Sequence, residues 1–351
     1  MVSNKIIPQK SFWRGKRVLV TGHTGFKGSW LSLWLNKLGA EVYGIGLPPE
    51  QTICLFNQLN LENLINHNTI DVRDFDSLST LVHACKPDVV LHLAAQAFVR
   101  RSYIDPLETW NINLQGSLHL LASLQNVESN CAVVMITTDK VYKNNEWDYG
   151  YREEDQLGGY DPYSASKAAL ELAVASWRSS FCGSKPYQNP FLKVATARAG
   201  NVVGGGDWSK DRIIPDIVRA LITKTPVKVR NPYSTRPWQH VLEPLSGYLL
   251  LAESLYSNQC TPSAYNFGPM ISSNKSVDEL VRQALLYWPG DYLISSKRTD
   301  YHEATKLNLQ IDKAYHQLSW SPVWDFAQTV QRTIQWYKSF HEGVTCLAIF
   351  L

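Results

Sequence analysis

The amino-acid sequence predicts an α/β fold, a doubly wound parallel sheet joined to a smaller, mixed α/β C-terminal part. Three observations predict it. Short apolar runs alternate with helix-spaced segments through about the first 200 residues. A glycine-rich turn separates the first such run from the first helix. Beyond about residue 200 the alternation breaks, and Trp, Pro and Gly become frequent. Buried strands separated by helices imply a parallel sheet with both faces covered.

Taken in order, Arg17–Gly22 (RVLVTG) is a buried strand, and Lys27–Leu38 carries Trp30, Leu31, Trp34, Leu35 and Leu38 at helical spacing until Gly39 stops it. Glu41–Ile45 is the second strand, Asn68–Val72 a short third, and Asp74–Cys85 a helix. Asp88–Leu93 is the fourth strand, Asp105–Gln125 a long helix, and Ala132–Thr137 the fifth strand. Asp161–Phe181 is another long helix and Leu192–Arg198 the sixth strand. The later stretches NVVGGGDWSKDRIIP and RNPYSTRPWQH are irregular, as in a part that closes over a ligand.

The bulk numbers set limits. With 351 residues, one large or two closely joined domains are expected: 13–200 for the sheet, with some later segments returning to it, 201–340 mainly for a ligand, and 341–351 as a tail. The 44% hydrophobic and 19% charged content excludes a disordered chain. A net charge of +3 gives no footing for nucleic acid or an anionic membrane. The six cysteines, Cys54, Cys85, Cys131, Cys182, Cys260 and Cys346, form no C-x-x-C pair and lie at no zinc-ligand spacing, so neither a disulfide framework nor a metal site is expected. No signal peptide or membrane-length apolar run is visible, and a cytoplasmic location is expected.

The first strand runs into Gly22-His23-Thr24-Gly25-Phe26-Lys27-Gly28. Glycines at every third position let the backbone approach a pyrophosphate, and the helix N-terminus supplies unpaired N–H groups. A dinucleotide site is therefore expected, and with it a Rossmann-type sheet. The second strand ends Gly44-Ile45-Gly46 without the acid that often binds an adenosine ribose. His23 and Lys27 stand either near cofactor phosphate or ribose, or as a solvated surface pair. Asp71-Val72 offers an adenine edge contact, and Ala94-Ala95-Gln96 is small enough for a cofactor to lie flat.

The segment Pro162-Tyr163-Ser164-Ala165-Ser166-Lys167 is the most informative one. Tyr163 and Lys167 are four apart on a helix, hence on one face. A phenol of pKa about 10 is a poor base, and a nearby ammonium stabilises the phenolate. Thr138, at the end of the fifth strand, supplies a hydroxyl where α/β sites form.

These blocks identify the chain as similar to the extended short-chain dehydrogenase/reductase family. The resemblance covers about residues 13 to 340 and rests on VTGHTGFKG, DVVLHLAAQ, NINLQGSLHLL, TTDKVY, YSASK and RAGNVVGGGDW. Within it, GGGDWSKDRIIPDIVRA, RPWQHVLEPLSGYL and HEATKLNLQIDKA look most like the NAD-dependent nucleotide-sugar 4,6-dehydratases. The resemblance implies NAD as cofactor, Asn113 among its contacts, and CDP-glucose as substrate, to be converted to the 4-keto-6-deoxy sugar for deoxysugar biosynthesis. A dehydratase also needs a second acid and base. By resemblance Asp139 is the acid that helps water leave C6. The next position is Glu in the dTDP-glucose enzymes and Lys140 here, so Lys140 is either the C5 base or a group that orients Asp139 and water.

For a substrate pyrophosphate, Arg212 and Arg236 supply cations and Asn201 an amide. Trp208 and Trp238 either wall the ligand or pack in the core. His302-Glu303 resembles a substrate-site segment of the same enzymes. A dehydratase of UDP-N-acetylglucosamine and a catalytically silent NAD-sensing protein are the competing readings. Family resemblance also implies a homodimer, with Asp105–Gln125 and Asp161–Phe181 forming a four-helix interface.

Overall fold

The computed structural model describes residues 7–209, 212–294 and 306–345. His302, Glu303, Cys346 and most of the expected tail lie outside the described residues.

Seven parallel strands make the central sheet. We number them in chain order: β1 Arg17–Thr21, β2 Glu41–Gly46, β3 Asn66–Thr69, β4 Val89–His92, β5 Cys131–Ile136, β6 Leu192–Ala199 and β7 Ala264–Phe267. Across the sheet they run β7-β6-β5-β4-β1-β2-β3. The order reverses between β1 and β4, which pair with Thr21 opposite His92. A crevice at the carboxyl ends of the strands is expected at such a switch point.

The pleat sorts the strand side chains onto two faces. Val18, Val20, Val89, Leu91, Ala132, Val134 and Ala195 pack with Trp30, Leu31 and Leu245 from helices Phe26–Leu38 and Leu242–Tyr256. Leu19, Val90, Val133, Met135 and Val194 pack with Leu78, Leu120, Leu170 and Val174 on the opposite face. Near-continuous apolar runs are what a sheet buried on both faces requires.

The structure shifts two of the expected elements and adds a strand to the sheet. The third strand is Asn66–Thr69, two residues before the expected start, because the polar edge strand pairs with β2 through His67 opposite Gly44. The apolar residues of Ile70-Asp71-Val72 belong to the loop beyond it. The helix expected over 105–125 is Pro106–Trp110, a π-helical turn Asn111–Gly116, and Ser117–Ser123 in succession. Strand β7, only four residues long, returns to the sheet beside β6 after the irregular region. No helix among the described residues is long and apolar enough to cross a membrane.

The rest of the second half is built from short two-stranded ribbons and helices. Val202–Val203 pairs with Gln239–His240, and Thr235–Pro237 with Asn274–Ser276. The helix Phe326–His341 folds back so that the Tyr337 hydroxyl donates to the carbonyls of Gly204 and Asp207. That contact pins the GGGDW turn over the carboxyl end of the sheet.

Candidate active site

The glycine turn has the form a pyrophosphate needs. Gly22 holds φ at +72°, and a Cβ there would lie 2.7 Å from Ala94 N, so the ends of β1 and β4 close on each other. A Cβ at Gly28 would lie 2.1 Å from Gly22 O. The helix begins at Phe26 with Gly25 at its N-cap and no side chain on its first N–H groups. Those donors and the helix dipole suit an anion.

Beneath the turn a chain of hydrogen bonds ties the crevice together. Thr21 Oγ1 accepts from Ala94 N and lies 2.7 Å from His92 Nδ1, to which it donates when the ring is neutral. His92 Nε2 then donates to Ser117 Oγ, which donates to Asn113 O. Burial lowers the pKa of His92 to about 3, so the ring is neutral near pH 7. Asn113 sits on the π-helical turn, a feature frequent at functional sites. Its side chain accepts from Gln96 N at 2.8 Å and donates to Gln96 O and to Ser166 Oγ. Asn113 thus joins the Ala94–Gln96 loop to the helix that carries Tyr163.

His23 and Lys27 are not a solvated surface pair. The His23 ring is buried, stands edge-on to Phe56 and bonds His67 Nδ1 through Nε2 at 2.7 Å. Burial lowers its pKa to about 4. Lys27 turns toward the site: desolvation first, then the charges of Arg212, Lys140 and Lys167, opposed by Asp139, bring its pKa down to about 8. Asp71 is occupied by Arg73, whose guanidinium holds the carboxyl below its usual range. Val72 is buried beside it.

The candidate reacting groups sit at the carboxyl end of β5 and on helix Pro162–Phe181, whose N-cap Asp161 accepts from Ser164 N. Tyr163, Lys167, Thr138 and Asp139 are all buried. Lys167 Nζ donates to Ile136 O at 3.2 Å, and burial pulls its pKa down to about 8. Burial pushes Tyr163 up to about 12, against the hydrogen bond from Thr138 and the charge of Arg212. Before any cofactor binds, burial therefore outweighs the expected stabilisation of the phenolate. Thr138 Oγ1 lies 3.0 Å from Asp139 Oδ1. Lys140 Nζ donates to Asp139 Oδ1 at 3.4 Å and to Asn201 Oδ1 at 3.5 Å. A Cβ at Gly200 would lie 2.9 Å from Asp139 Oδ2, so only glycine leaves room for that carboxylate.

Of the residues expected to hold substrate, the structure brings Arg212 and Asn201 to this cluster. Arg212 Nη1 donates to the buried Asp207 at 2.9 Å, and its guanidinium lies over the Phe98 ring. Trp208 and Trp238 are packing residues. The Trp208 indole meets Gln58, Tyr337 and Phe340, and the buried Trp238 donates to Lys275 O. Arg236 lies in the Thr235–Pro237 ribbon and donates to Thr235 O. Asp207 carried a signal in the GGGDW block, yet its role as partner of Arg212 depends on a turn that no local pattern predicts.

Glu171 and Arg198 have no place in the sequence reading. They form a buried ion pair of 2.9 Å behind Lys167. The available signal was spacing: Glu171 stands four after Lys167 and eight after Tyr163, on the same helical face.

The family model for GDP-mannose 4,6-dehydratase matches residues 19–333. A CDP-glucose 4,6-dehydratase of Salmonella typhimurium is 46% identical over 95% of this chain and 94% of its own length. A human dTDP-D-glucose 4,6-dehydratase is 25% identical over 93% of this chain and 91% of its own length. Among solved structures, a UDP-glucose 4-epimerase of Thermotoga maritima with UDP-glucose superposes with a TM-score of 0.79 at 20% identity, covering 92% of this chain and 99% of that one. The Thermus thermophilus UDP-glucose 4-epimerase in complex with NAD gives 0.78 at 22% identity, covering 92% and 98%. These two show the fold. The chain belongs to the GDP-mannose 4,6-dehydratase family.

Proposed function

We propose that this chain is an NAD-dependent hydro-lyase that converts CDP-glucose to CDP-4-keto-6-deoxyglucose, a step in deoxysugar biosynthesis. One observation carries the reading beyond the family: an Asp139–Lys140 pair lies beside Thr138 and Tyr163 at the end of β5. An epimerase has no use for that second acid–base pair. The 46% identity to a CDP-glucose enzyme supports the choice of base and sugar.

NAD, when bound, would supply the hydride acceptor for C4 and the hydride for C6. The residues that fit it are the turn Gly22–Gly28, the Ala94–Gln96 loop held by Asn113, and Lys167. Tyr163 takes the proton of the C4 hydroxyl, with the Thr138 hydroxyl close enough to favour its phenolate. A cation near the phenol lowers its pKa, and Lys167, four residues along the same helix, would supply one. The 4-keto group acidifies C5–H. A proton passes from Lys140 to Asp139 across their 3.4 Å contact; the freed Lys140 amine then receives the C5 proton while Asp139 protonates the hydroxyl leaving C6, so water is lost across C5–C6. A proton then returns to C5. Arg212, held by Asp207, binds the pyrophosphate with Asn201 alongside, and Arg236 serves the nucleotide end.

Two finer expectations complete the reading. The enzyme works in the cytoplasm, where nucleotide sugars are made. It acts as a homodimer through helices 106–123 and Pro162–Phe181. Ile104, Leu107 and Leu172 support this, being 79%, 74% and 62% exposed on adjoining helices. Sedimentation of a stable monomer at micromolar concentration would reject the dimer.

The substrate reading is tested by incubating the protein with NAD and, separately, CDP-glucose, dTDP-glucose, UDP-glucose and UDP-N-acetylglucosamine. The expected result is the base-induced absorbance of a 4-keto-6-deoxy sugar from CDP-glucose. Turnover of another sugar alone overturns the substrate. Turnover of none favours a silent NAD-binding protein.

A further inference from the structure

Two pairs of reacting groups must serve the same sugar ring in succession, and they stand on different elements. Tyr163 and Lys167 belong to a helix; Thr138, Asp139 and Lys140 belong to the turn after β5. Something must fix the two elements against each other. Packing alone resists compression but allows a helix to slide along its axis by fractions of an ångström. Directional contacts at the junction do not.

Glu171 supplies them. It stands one helical turn beyond Lys167, with its side chain buried. Its Oε1 accepts from Thr137 Oγ1, the residue between Ile136, whose carbonyl holds Lys167, and Thr138. Its Oε2 accepts from Thr196 Oγ1 at 2.7 Å and from Arg198 Nη2 at 2.9 Å, both on β6. Arg198 Nη1 in turn donates to the hydroxyl of Tyr142, two residues beyond Lys140, and to Glu153 O. Tyr142 donates to Asn266 Oδ1 on β7. One carboxylate therefore reaches the residue before Thr138 directly and the residue after Val141 through Arg198. It brackets the Asp139–Lys140 turn on both sides from the helix of Tyr163.

The charges fit the same role. Burial of the Lys167 ammonium favours its neutral form, and Glu171 is the carboxylate that opposes this. The other ionisable groups facing Lys167 are Lys27, from helix Phe26–Leu38, and the neutral His92, from β4. Lys27 also feels Asp139, Lys140 and Arg212.

We propose that Glu171 is a positioning residue for the dehydration: through Thr137 and Arg198 it locks the Asp139–Lys140 turn and the Tyr163–Lys167 helix into one frame and gives the Lys167 ammonium its counter-charge. The inference rests on the dehydratase reading above. A misplacement of about an ångström far from the chemistry can cost roughly 100-fold in rate, so the expected loss is in kcat rather than in KM.

The test compares wild type with Glu171→Gln, using NAD and CDP-glucose. Wild-type turnover is measured first, so that failure of the dehydratase reading is seen independently. In the folded variant, kcat is expected to fall by about 10- to 100-fold with KM nearly unchanged. The alkaline limb of kcat is expected to move to lower pH, because Lys167 then loses its proton more readily. Glu171→Asp, which keeps the charge, is expected to restore the position of that limb. Unmoved limb and unaltered kcat per folded molecule overturn the proposal. Removing one member of a buried pair can prevent folding. Thr137→Val is therefore made in parallel: it removes only the arm to the Asp139 turn. It is expected to lower kcat several-fold at unchanged KM and melting temperature, and a wild-type kcat overturns the positioning role.

Discussion

The two reacting pairs lie within one site yet are built differently. Tyr163 and Lys167 stand on a 20-residue helix, are buried, and rest on a fully bonded polar layer that includes Asn113, His92 and Glu171. Asp139 and Lys140 stand on a single short turn of helix. Asp139 is buried, but the Lys140 side chain is 27% exposed and held only by long contacts of 3.4 and 3.5 Å. The difference tracks the chemistry. Hydride transfer needs fixed distances and a dry site, whereas elimination needs a proton carried from C5 and water released from C6. A partly exposed amine at the solvent edge suits the second task and would harm the first.

The sharpest way to break this comparison is to disable the rigid pair. Tyr163→Phe keeps the ring and its packing but removes the hydroxyl proposed to take the C4 proton. A loss of about 10³- to 10⁴-fold in kcat is expected, with no reduced nicotinamide formed in single turnover. A variant that still reduces NAD at the wild-type rate shows that another group is the base.

Disabling the second pair should separate the half-reactions. Asp139→Asn keeps the shape beside Gly200 and removes the acid. Turnover to the 4-keto-6-deoxy sugar is expected to fall by about 10²- to 10³-fold, while C4 oxidation persists. Reduced nicotinamide then accumulates during turnover and is seen by its absorbance. Equal loss of both half-reactions would mean that Asp139 belongs functionally with Tyr163 and Lys167.

The same contrast explains what sequence could reveal. The glycine turn, Thr138, Asp139, Tyr163 and Lys167 are local patterns, each attached to a strand end or a helix face by spacing alone. Gly22 and Gly28 sit where backbone meets backbone, so their residue type is legible. The long-range members are not. Glu171 meets Thr137, Thr196 and Arg198 only after β5, β6 and the helix have assembled. The Asp207 carboxylate faces Arg212 only because Tyr337, 130 residues further on, pins its turn. Strand β7 escaped notice for a related reason: four residues flanked by loops give no period to read, and only pairing with β6 makes them a strand. Edge strand β3 was displaced because a polar NHNT segment pairs by backbone alone. Lys27 is the instructive intermediate. Its place in the turn was plain, but its direction, toward Asp139 and Lys167, was not.

The smallest expected effect concerns the layer under the rigid pair. His92 is neutral in the folded chain because Thr21 and Ser117 occupy both ring nitrogens in one tautomer and burial opposes a second proton. Its pKa is lowered from 6.5 to about 3. Between those values the unfolded chain binds a proton that the folded chain does not. Stability therefore rises with pH across that window: the contribution is whole above about pH 6.5 and is lost progressively as pH falls toward 3. One proton of difference corresponds to a slope of about 1.4 kcal/mol per pH unit. His23 and His240, with pKa values lowered to about 4 and about 3, add to the same trend. His92→Asn should be less stable at neutral pH, since one of its two bridges is lost. Its stability should also depend less steeply on pH below 6.5, by up to one proton in chemical denaturation from pH 5 to 7. An unchanged slope would mean that His92 is protonated in the native crevice. The Thr21–His92 bond would then run the other way, from Nδ1–H to Thr21 Oγ1, and the dry, rigid footing assigned to Tyr163 and Lys167 would lose one of its supports.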